Sequence, residues 1–345
     1  MVRILDVAKH AGLSVASVSR VLSGLPGVSE NARKRVMASV EALGYRPNLA
    51  ARRLRSQRTD TLGLIVSDIR NPYFMEVSRA VEDVAYANGM RVMLCNADED
   101  PEKENFYLEM MRDENVAGVI LSPTLDLLSR YHQADFPFPV VLVDRCESDT
   151  DADAVLLDNT DAAQRLTRHL IDAGHRRIAF FYGAASATGR QRLQGYQDAL
   201  SGAGLTPQTQ ALKPTTDEAF AAMREFLQKN TQLPDAIVAS SGLILLGLVQ
   251  ALREANLRFP EDVALAGFDD MPWTRVVTPA ITVMAQPTYD IGRSAIELLL
   301  ARIAQPAQAV RRIDERVKIL RRAIGGMRGI QQYAVIAPAA AAAEL

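Results

Sequence analysis

Ile4-Leu5-Asp6-Val7-Ala8-Lys9-His10-Ala11-Gly12-Leu13-Ser14-Val15-Ala16-Ser17-Val18-Ser19-Arg20-Val21-Leu22 opens the chain with two short apolar stripes separated by one glycine. Ile4, Val7, Ala8 and Ala11 recur at helical spacing and stop at Gly12, which is free to take the left-handed conformation that ends a helix. Ser14 is placed to cap a second helix that buries Val15, Val18, Val21 and Leu22 and stops at Ser23-Gly24. Ser29 is placed to cap a third, with Ala32, Val36, Val40 and Leu43 on one face and Gly44 at its end. Two short helices joined by a tight glycine turn, with a third to complete a small core, form a helix-turn-helix pattern. The second helix of that motif enters the major groove, and its first exposed positions face the bases: here Val15, Ala16 and, a turn later, Arg20. Arginine offers a bidentate pair to guanine, whereas Val and Ala offer only apolar contact. Ser14, Ser17 and Ser19 carry short hydroxyls suited to phosphate oxygens.

Charge points the same way. Residues 1–59 hold eleven Lys and Arg against three acids, a net of +8, while the rest of the chain is −10. A basic head on an acidic body favours a polyanion at the N-terminal end. Tyr45-Arg46-Pro47-Asn48 reads as a turn, because Pro47 cannot continue a helix and Asn48 is a good N-cap. The stretch Leu49–Ser56 has helix formers but only about two turns of them, too few to hold alone in water. Arg52, Arg53 and Arg55 are placed to neutralise phosphates, and Leu54 is an apolar wedge of the kind that unstacks a base step from the minor groove. A flexible basic linker is the plainer reading of the same segment.

These residues give the chain a resemblance to the lactose-repressor (LacI/GalR) family of bacterial transcription regulators. It is carried by Asp6–Ser14, by Ser17–Leu22, and by Gly44-Tyr45-Arg46-Pro47-Asn48 followed by Ala51 and Leu54. The resemblance implies that Val15, Ala16 and Arg20 read bases, that Asn48, Ala51, Arg52, Leu54 and Arg55 belong to a DNA-contacting hinge helix, and that Leu54 prises open the operator centre. One departure stands out: Arg3 occupies a position where that family usually has a capping threonine, and Arg3 cannot cap.

From Thr61 onward, short β-branched runs alternate with helical stretches. The strand-like runs are Leu62–Val66, Arg91–Leu94, Ala117–Leu121, Val140–Val143, Ala154–Leu157, Arg177–Tyr182, Ala236–Ala239, Val263–Ala266 and Ile281–Met284; Pro72–Asn88 is a typical intervening helix. That alternation predicts doubly wound parallel sheets covered by helices. No internal repeat and no metal spacing emerges from the four histidines. Residues 183–189 lack the Gly-Lys-Ser/Thr ending of a phosphate loop.

Ligands of such sheets bind beyond the carboxyl ends of the strands. The polar and aromatic residues at those ends are Asp68, Asn71, Tyr73 and Phe74; Asp144 and Arg145; Thr188 and Arg192; Ser240 and Ser241; Phe268, Asp269, Asp270 and Trp273; and Gln286. Carboxylates and guanidinium forks pair with vicinal hydroxyls and aromatic faces cover sugar C–H surfaces, so the set suits a small polyhydroxylated ligand. A second reading keeps these as loop residues, with Asp144 salt-bridged to Arg145 and Trp273 in the core. The resemblance extends through about Gly325 and implies a body like a type I periplasmic sugar-binding protein, with two similar subdomains, three crossovers and a ligand cleft. It implies ligand contacts from Asn71, Phe74, Asp144, Arg145, Arg192, Phe268, Asp269 and Gln286. Ser241-Gly242 departs from the Asn or Asp usual there, and the Phe268–Trp273 run is similar to members that sense sugar acids.

The implied organisation is an all-α helix-turn-helix domain over 1–46, a hinge helix and linker over 47–59, and a ligand-binding and dimerisation α/β domain over 60–326. Within the last, one subdomain takes 60–160 with 288–308 and the other 161–287 with 309–326. Residues 327–345 form a low-complexity tail expected to be poorly ordered. At 345 residues, two or three domains are expected at roughly 150 residues each. Hydrophobic residues at 48% and charged residues at 23% argue against wholesale disorder. No apolar run approaches the roughly 20 residues of a membrane span, no secretory apolar block follows the N-terminus, and Cys95 and Cys146 are too few for a disulfide framework. A cytoplasmic homodimer on a pseudo-palindromic operator is therefore expected, without cofactor or metal, binding a sugar or sugar acid. The rivals are a free sugar-binding transport protein and a sugar-acting α/β enzyme.

Overall fold

The computed structural model describes residues 2–22, 26–45, 59–147, 150–230 and 232–322. The chain divides into two units, Met1–Thr59 and Asp60–Leu345.

The first unit holds α1 (Ile4–Ala11), α2 (Val15–Leu22) and α3 (Glu30–Ala42). Its core is Val7, Ala8, Ala11, Val18, Val21 and Val36. Local chemistry sets the end of α1 and the starts of α2 and α3 where the sequence predicts, while the expected stop of α2 at Ser23-Gly24 lies outside the described residues. Gly12 closes α1 at φ 62°, Ser14 Oγ accepts the Ser17 amide at 3.1 Å, and Ser29 accepts from the Ala32 amide at 3.3 Å. Arg3 makes no side-chain cap, but the Asp6 carboxylate reaches back to accept the Arg3 amide at 2.8 Å. Arg35 of α3 donates to the Ala11 carbonyl at 2.5 Å, tying α3 to the end of α1.

In the second unit the strands form two six-stranded sheets. The first contains β1 (Thr61–Val66), β2 (Arg91–Asn96), β3 (Val119–Leu121), β4 (Val140–Val143), β5 (Asp153–Leu157) and β11 (Arg312–Glu315), in the order β11-β5-β4-β3-β1-β2. The second contains β6 (Ile178–Gly183), β7 (Gln208–Leu212), β8 (Ala236–Ala239), β9 (Ala264–Phe268), β10 (Thr282–Ala285) and β12 (Lys318–Leu320), in the order β12-β10-β9-β8-β6-β7. The orders are the same, so the second half repeats the topology of the first, as the resemblance to a periplasmic sugar-binding protein implies. Among the described residues all pairings are parallel except β10 with β12. Alternate residues of one strand serve opposite faces: Leu62, Leu64 and Val66 enter one core, Ile65 the other. Both faces are therefore covered, as parallel sheets require.

The helices between them are α4 (Pro72–Ala87), α5 (Pro101–Asp113), α6 (Leu125–Ser129), α7 (Asn159–Asp172), α8 (Ala187–Gly202), α9 (Thr216–Lys229), α10 (Gly242–Glu254), α11 (Pro272–Val276) and α12 (Thr288–Ala304). The chain passes between sheets three times: from β5 into α7, which packs on α8; from β10 into α12, which packs on α4 and on β3 to β5; and from β11 to β12. The last passage corrects the expected assignment of 309–326 to the second half. Residues 312–315 pair with β5, because Asp153 accepts both the Arg302 guanidinium at 2.9 Å and the Arg311 amide at 2.7 Å and holds the chain after α12 against the first sheet. Only Lys318–Leu320 joins the second sheet. Among the described residues no helix is long and apolar enough to cross a membrane.

Candidate DNA-reading helix and ligand cavity

On α2 the candidate base-reading residues are not alike. Arg20 and Ala16 are exposed, but Val15 is half-buried against the three-helix core, which reduces the contact it can offer. Ser14 and Ser17 hydrogen-bond each other at 2.9 Å, and Ser17 and Ser19 are half-buried. Exposed Ser14 caps the helix, so its hydroxyl holds the N-terminal turn in place. Asn48, Ala51, Arg52, Leu54 and Arg55 lie outside the described residues.

The second unit holds a cavity of about 460 Å³ lined from the carboxyl ends of both sheets. Asn71, Tyr73, Phe74, Asp144, Arg145, Arg192, Ser241, Asp269 and Gln286 all line it. Asn71 caps α4, its side chain accepting the Tyr73 amide at 3.1 Å, and the Tyr73 and Phe74 rings meet edge to face at 4.9 Å. Gly189 lets α8 sit on the end of β6: a Cβ there would lie 2.3 Å from the Gly183 carbonyl oxygen. That approach brings Thr188 and Arg192, one turn apart, to the cavity wall.

Asp144 and Asp269 end the equivalent strands β4 and β9, and both are left-handed, at φ 70° and 71°. Such φ values are uncommon outside glycine and cluster at functional sites. Asp269 accepts the Gly242 amide at 2.8 Å and a hydrogen bond from Gln286 Nε2. Asp144 accepts from Arg145 Nε at 3.1 Å; burial pushes its carboxyl above the ordinary range, with the Arg145 and Arg192 charges opposing. Arg145 also donates to both oxygens of Glu99 and to the Pro123 carbonyl at 3.1 Å. Burial would lower its guanidinium, but the Glu99 and Asp144 contacts outweigh it and hold it above the usual arginine range. Arg192 donates to Asn159 Oδ1 at 2.8 Å and to the Ser240 carbonyl at 2.6 Å, and lies 4.0 Å over the Phe268 ring. Burial lowers its guanidinium, only partly offset by Asp269 and Asp144. Tyr73 Oη and Gln286 Oε1 are buried without a hydrogen-bond partner among the described residues.

Three expected residues fall elsewhere. Phe268 is fully buried beneath Arg192 and supports it without lining the cavity. Trp273 packs into the core of the second sheet and donates to the Met271 sulfur at 3.3 Å, because α11 turns its ring inward. It does not line the cavity. Asp270, rather than facing a ligand, pairs with Arg275 and Arg322. The sequence reading missed Glu99, Arg70 and Lys213, all of which line the cavity. Glu99 and Lys213 follow β2 and β7, so the same strand-end rule applied to those strands finds them.

A family model described as "Bacterial regulatory proteins, lacI family" matches residues 3–48. Another, described as "Periplasmic binding proteins and sugar binding domain of LacI family", matches residues 59–324. The chain is 35% identical to the HTH-type transcriptional regulator RegA of Clostridium saccharobutylicum over 306 residues, covering 86% of this chain and 91% of that one. It is 35% identical to the ribose operon repressor of Halalkalibacterium halodurans over 304 residues, covering 88% and 91%. Among solved structures, the transcriptional regulator CelR–cellobiose complex matches with a TM-score of 0.69 and 30% identity over 94% of this chain and 100% of that one. The Lac repressor dimer bound to operator and the anti-inducer ONPF shares the fold at a TM-score of 0.83, with 23% identity, covering 94% and 98%. With both of its units matched in order, the chain belongs to the LacI family and is a DNA-binding transcriptional regulator.

Proposed function

We propose that the protein is a cytoplasmic repressor of genes for sugar or sugar-acid use, released from its operator by a small carbohydrate in the cavity. The observation that carries the ligand half is one cavity whose wall brings Asn71, Tyr73, Asp144 and Arg145 from one sheet together with Arg192, Asp269 and Gln286 from the other. Carboxylates and a guanidinium set around one cavity offer acceptors and donors to the vicinal hydroxyls of a sugar. The CelR match is to a cellobiose complex, and a curated relative is named for the ribose operon. The proposed contacts are Asn71, Tyr73, Phe74, Asp144, Arg145, Arg192, Ser241, Asp269 and Gln286. No bond-making step is assigned to them: they present donors and acceptors to a bound molecule.

For DNA we assign residues 1–46 to operator recognition and 47–59 to the hinge. A homodimer on a pseudo-palindrome follows from the few bases one motif reaches, and the matched Lac repressor structure is a dimer on its operator. A ligand that favours one arrangement of the two sheets over another by about 1–3 kcal/mol shifts operator affinity by up to that amount. The +8 head favours this reading over a sugar carrier.

Fluorescence anisotropy on genomic fragments at two salt concentrations tests the proposal. Arg20→Ala is expected to relax base preference, and Arg52→Ala to weaken binding to every sequence and lower the salt slope by about one. Equal effects of the two, or no preference for any genomic fragment over random duplex with or without sugars, would overturn it.

A further inference from the structure

The cavity reaches its two buried arginines differently, and Glu99 makes the difference. A guanidinium has five N–H donors. Nε of Arg145 serves Asp144, Nη1 serves Glu99 and Pro123, and Nη2 serves Glu99, so the fork that would grip a ligand carboxylate is already gripping one. The chain holds that carboxylate in place against its own backbone preference. Asp98 and Glu99 are consecutive non-glycine residues at φ 55° and 58°, a conformation kept only where the surroundings enforce it. Enforcement is visible: the Glu99 amide donates to the Ser67 carbonyl at 3.1 Å, Asp98 accepts from Asn96 Nδ2 at 2.8 Å and bonds Lys103, and Asp100 caps α5 through the Glu102 amide at 2.8 Å. On the other flank Arg145 holds Pro123, whose neighbour Thr124 is fixed by the fully buried Glu104 through its amide at 2.7 Å.

We propose that Glu99 is a specificity-determining residue: a built-in carboxylate that fills the Arg145 fork, turns a ligand carboxylate away, and makes the cavity select an uncharged polyhydroxylated ligand. The inference rests on the carbohydrate reading of the cavity. Charge balance supports it. Asp68, Asp98, Glu99, Asp144 and Asp269 outnumber Arg70, Arg145, Arg192 and Lys213 on the cavity wall by one, so a ligand carboxylate adds to an existing excess of acidic groups. Arg192 has no ion pair within 4 Å among the described residues, but it lies within the fields of Asp269 and Asp144, and its remaining donors suit a neutral sugar oxygen.

The test uses the purified full chain and matched pairs: glucose with gluconate and glucuronate, galactose with galactonate and galacturonate, ribose with ribonate, and cellobiose with cellobionate. Thermal shift selects the pairs that bind, and calorimetry gives the ratio of acid to neutral affinity. Wild type is expected to bind the neutral member at least about 10-fold more tightly, and Glu99→Gln to shrink that ratio about 10-fold or more. A role confined to holding the loop would weaken both members together and leave the ratio unmoved. An acid bound by wild type more tightly than its neutral partner, or an unchanged ratio in folded Glu99→Gln, overturns the inference alone. The wild-type ratio decides by itself if the variant does not fold. A panel in which no member shifts wild-type melting overturns the carbohydrate reading, and this inference with it.

Discussion

Arg145 and Arg192 come from opposite halves of a duplicated fold and line the same cavity, yet one is spoken for and the other is held open. Arg145 is clasped by Glu99 and Asp144 with side chains 24% and 9% exposed, and its guanidinium is held above the usual range. Arg192 rests on an aromatic face and two neutral oxygens, and its guanidinium is lowered. A buried charge with its counter-ion in place serves the fold first, because removing one partner strands the other. A buried charge without one is a standing cost to folding that a ligand can relieve. Topological duplication thus does not imply duplicated roles.

The sharpest way to break this contrast is a pair of substitutions. Arg145→Met leaves Glu99 and Asp144 facing each other without a cation and is expected to cost about 3 kcal/mol, read as a lower urea midpoint. Arg192→Met removes an ion that has no counter-ion, so stability should change by no more than about 1 kcal/mol, while affinity for any ligand found by thermal shift falls about 100-fold. If both lose stability equally, the distinction between the two arginines is gone.

A smaller effect sharpens the comparison from outside the cavity. Ser14→Ala deletes the α2 cap and should destabilise the three-helix unit by about 1 kcal/mol without altering ligand affinity measured in the absence of DNA. Calorimetry of ligand binding checks the second part; a changed affinity would mean the cap reaches the cavity by some route.

The smallest effect is a pH slope beneath Arg145. Burial raises the Glu104 carboxyl above its ordinary range, opposed by its hydrogen bonds to Thr124. The folded protein therefore keeps that proton at pH values where the unfolded chain has lost it. Its stability falls as pH rises from the ordinary glutamate value to the raised one. Glu104→Gln removes this slope, so its stability relative to wild type should improve as pH rises through that window. Urea midpoints at several pH values test this, and a difference that moves the other way would place a favourable charge at Glu104.

What could be read in the sequence divides along physical lines. Gly12, Ser14 and Ser29 were legible because a cap depends on a few neighbouring atoms. The central strands Val140–Val143 and Ala236–Ala239 were legible because strands buried on both faces are continuous apolar runs. Gln208–Leu212, Arg312–Glu315 and Lys318–Leu320 were not, since each is an edge strand whose polar residues form a strand only by pairing with a neighbour. In the cavity, residue type found most of the wall but misjudged Trp273, whose ring direction depends on the short α11. The position of Glu99 after β2 was within reach of the strand-end rule, but its contact with Arg145 was not, because the left-handed turn at Asp98 and Glu99 carries no glycine to signal it.

Val317 packs against the core of each sheet, in the two-residue link from Glu315 to Lys318. Three virtual Cα–Cα bonds of 3.8 Å tether those ends to within about 11 Å of one another. Whatever opens the mouth of the molecule must leave this seam shut. The two sheets can therefore part only a little at Val317, like covers at a book's spine, and any wider separation has to develop away from it.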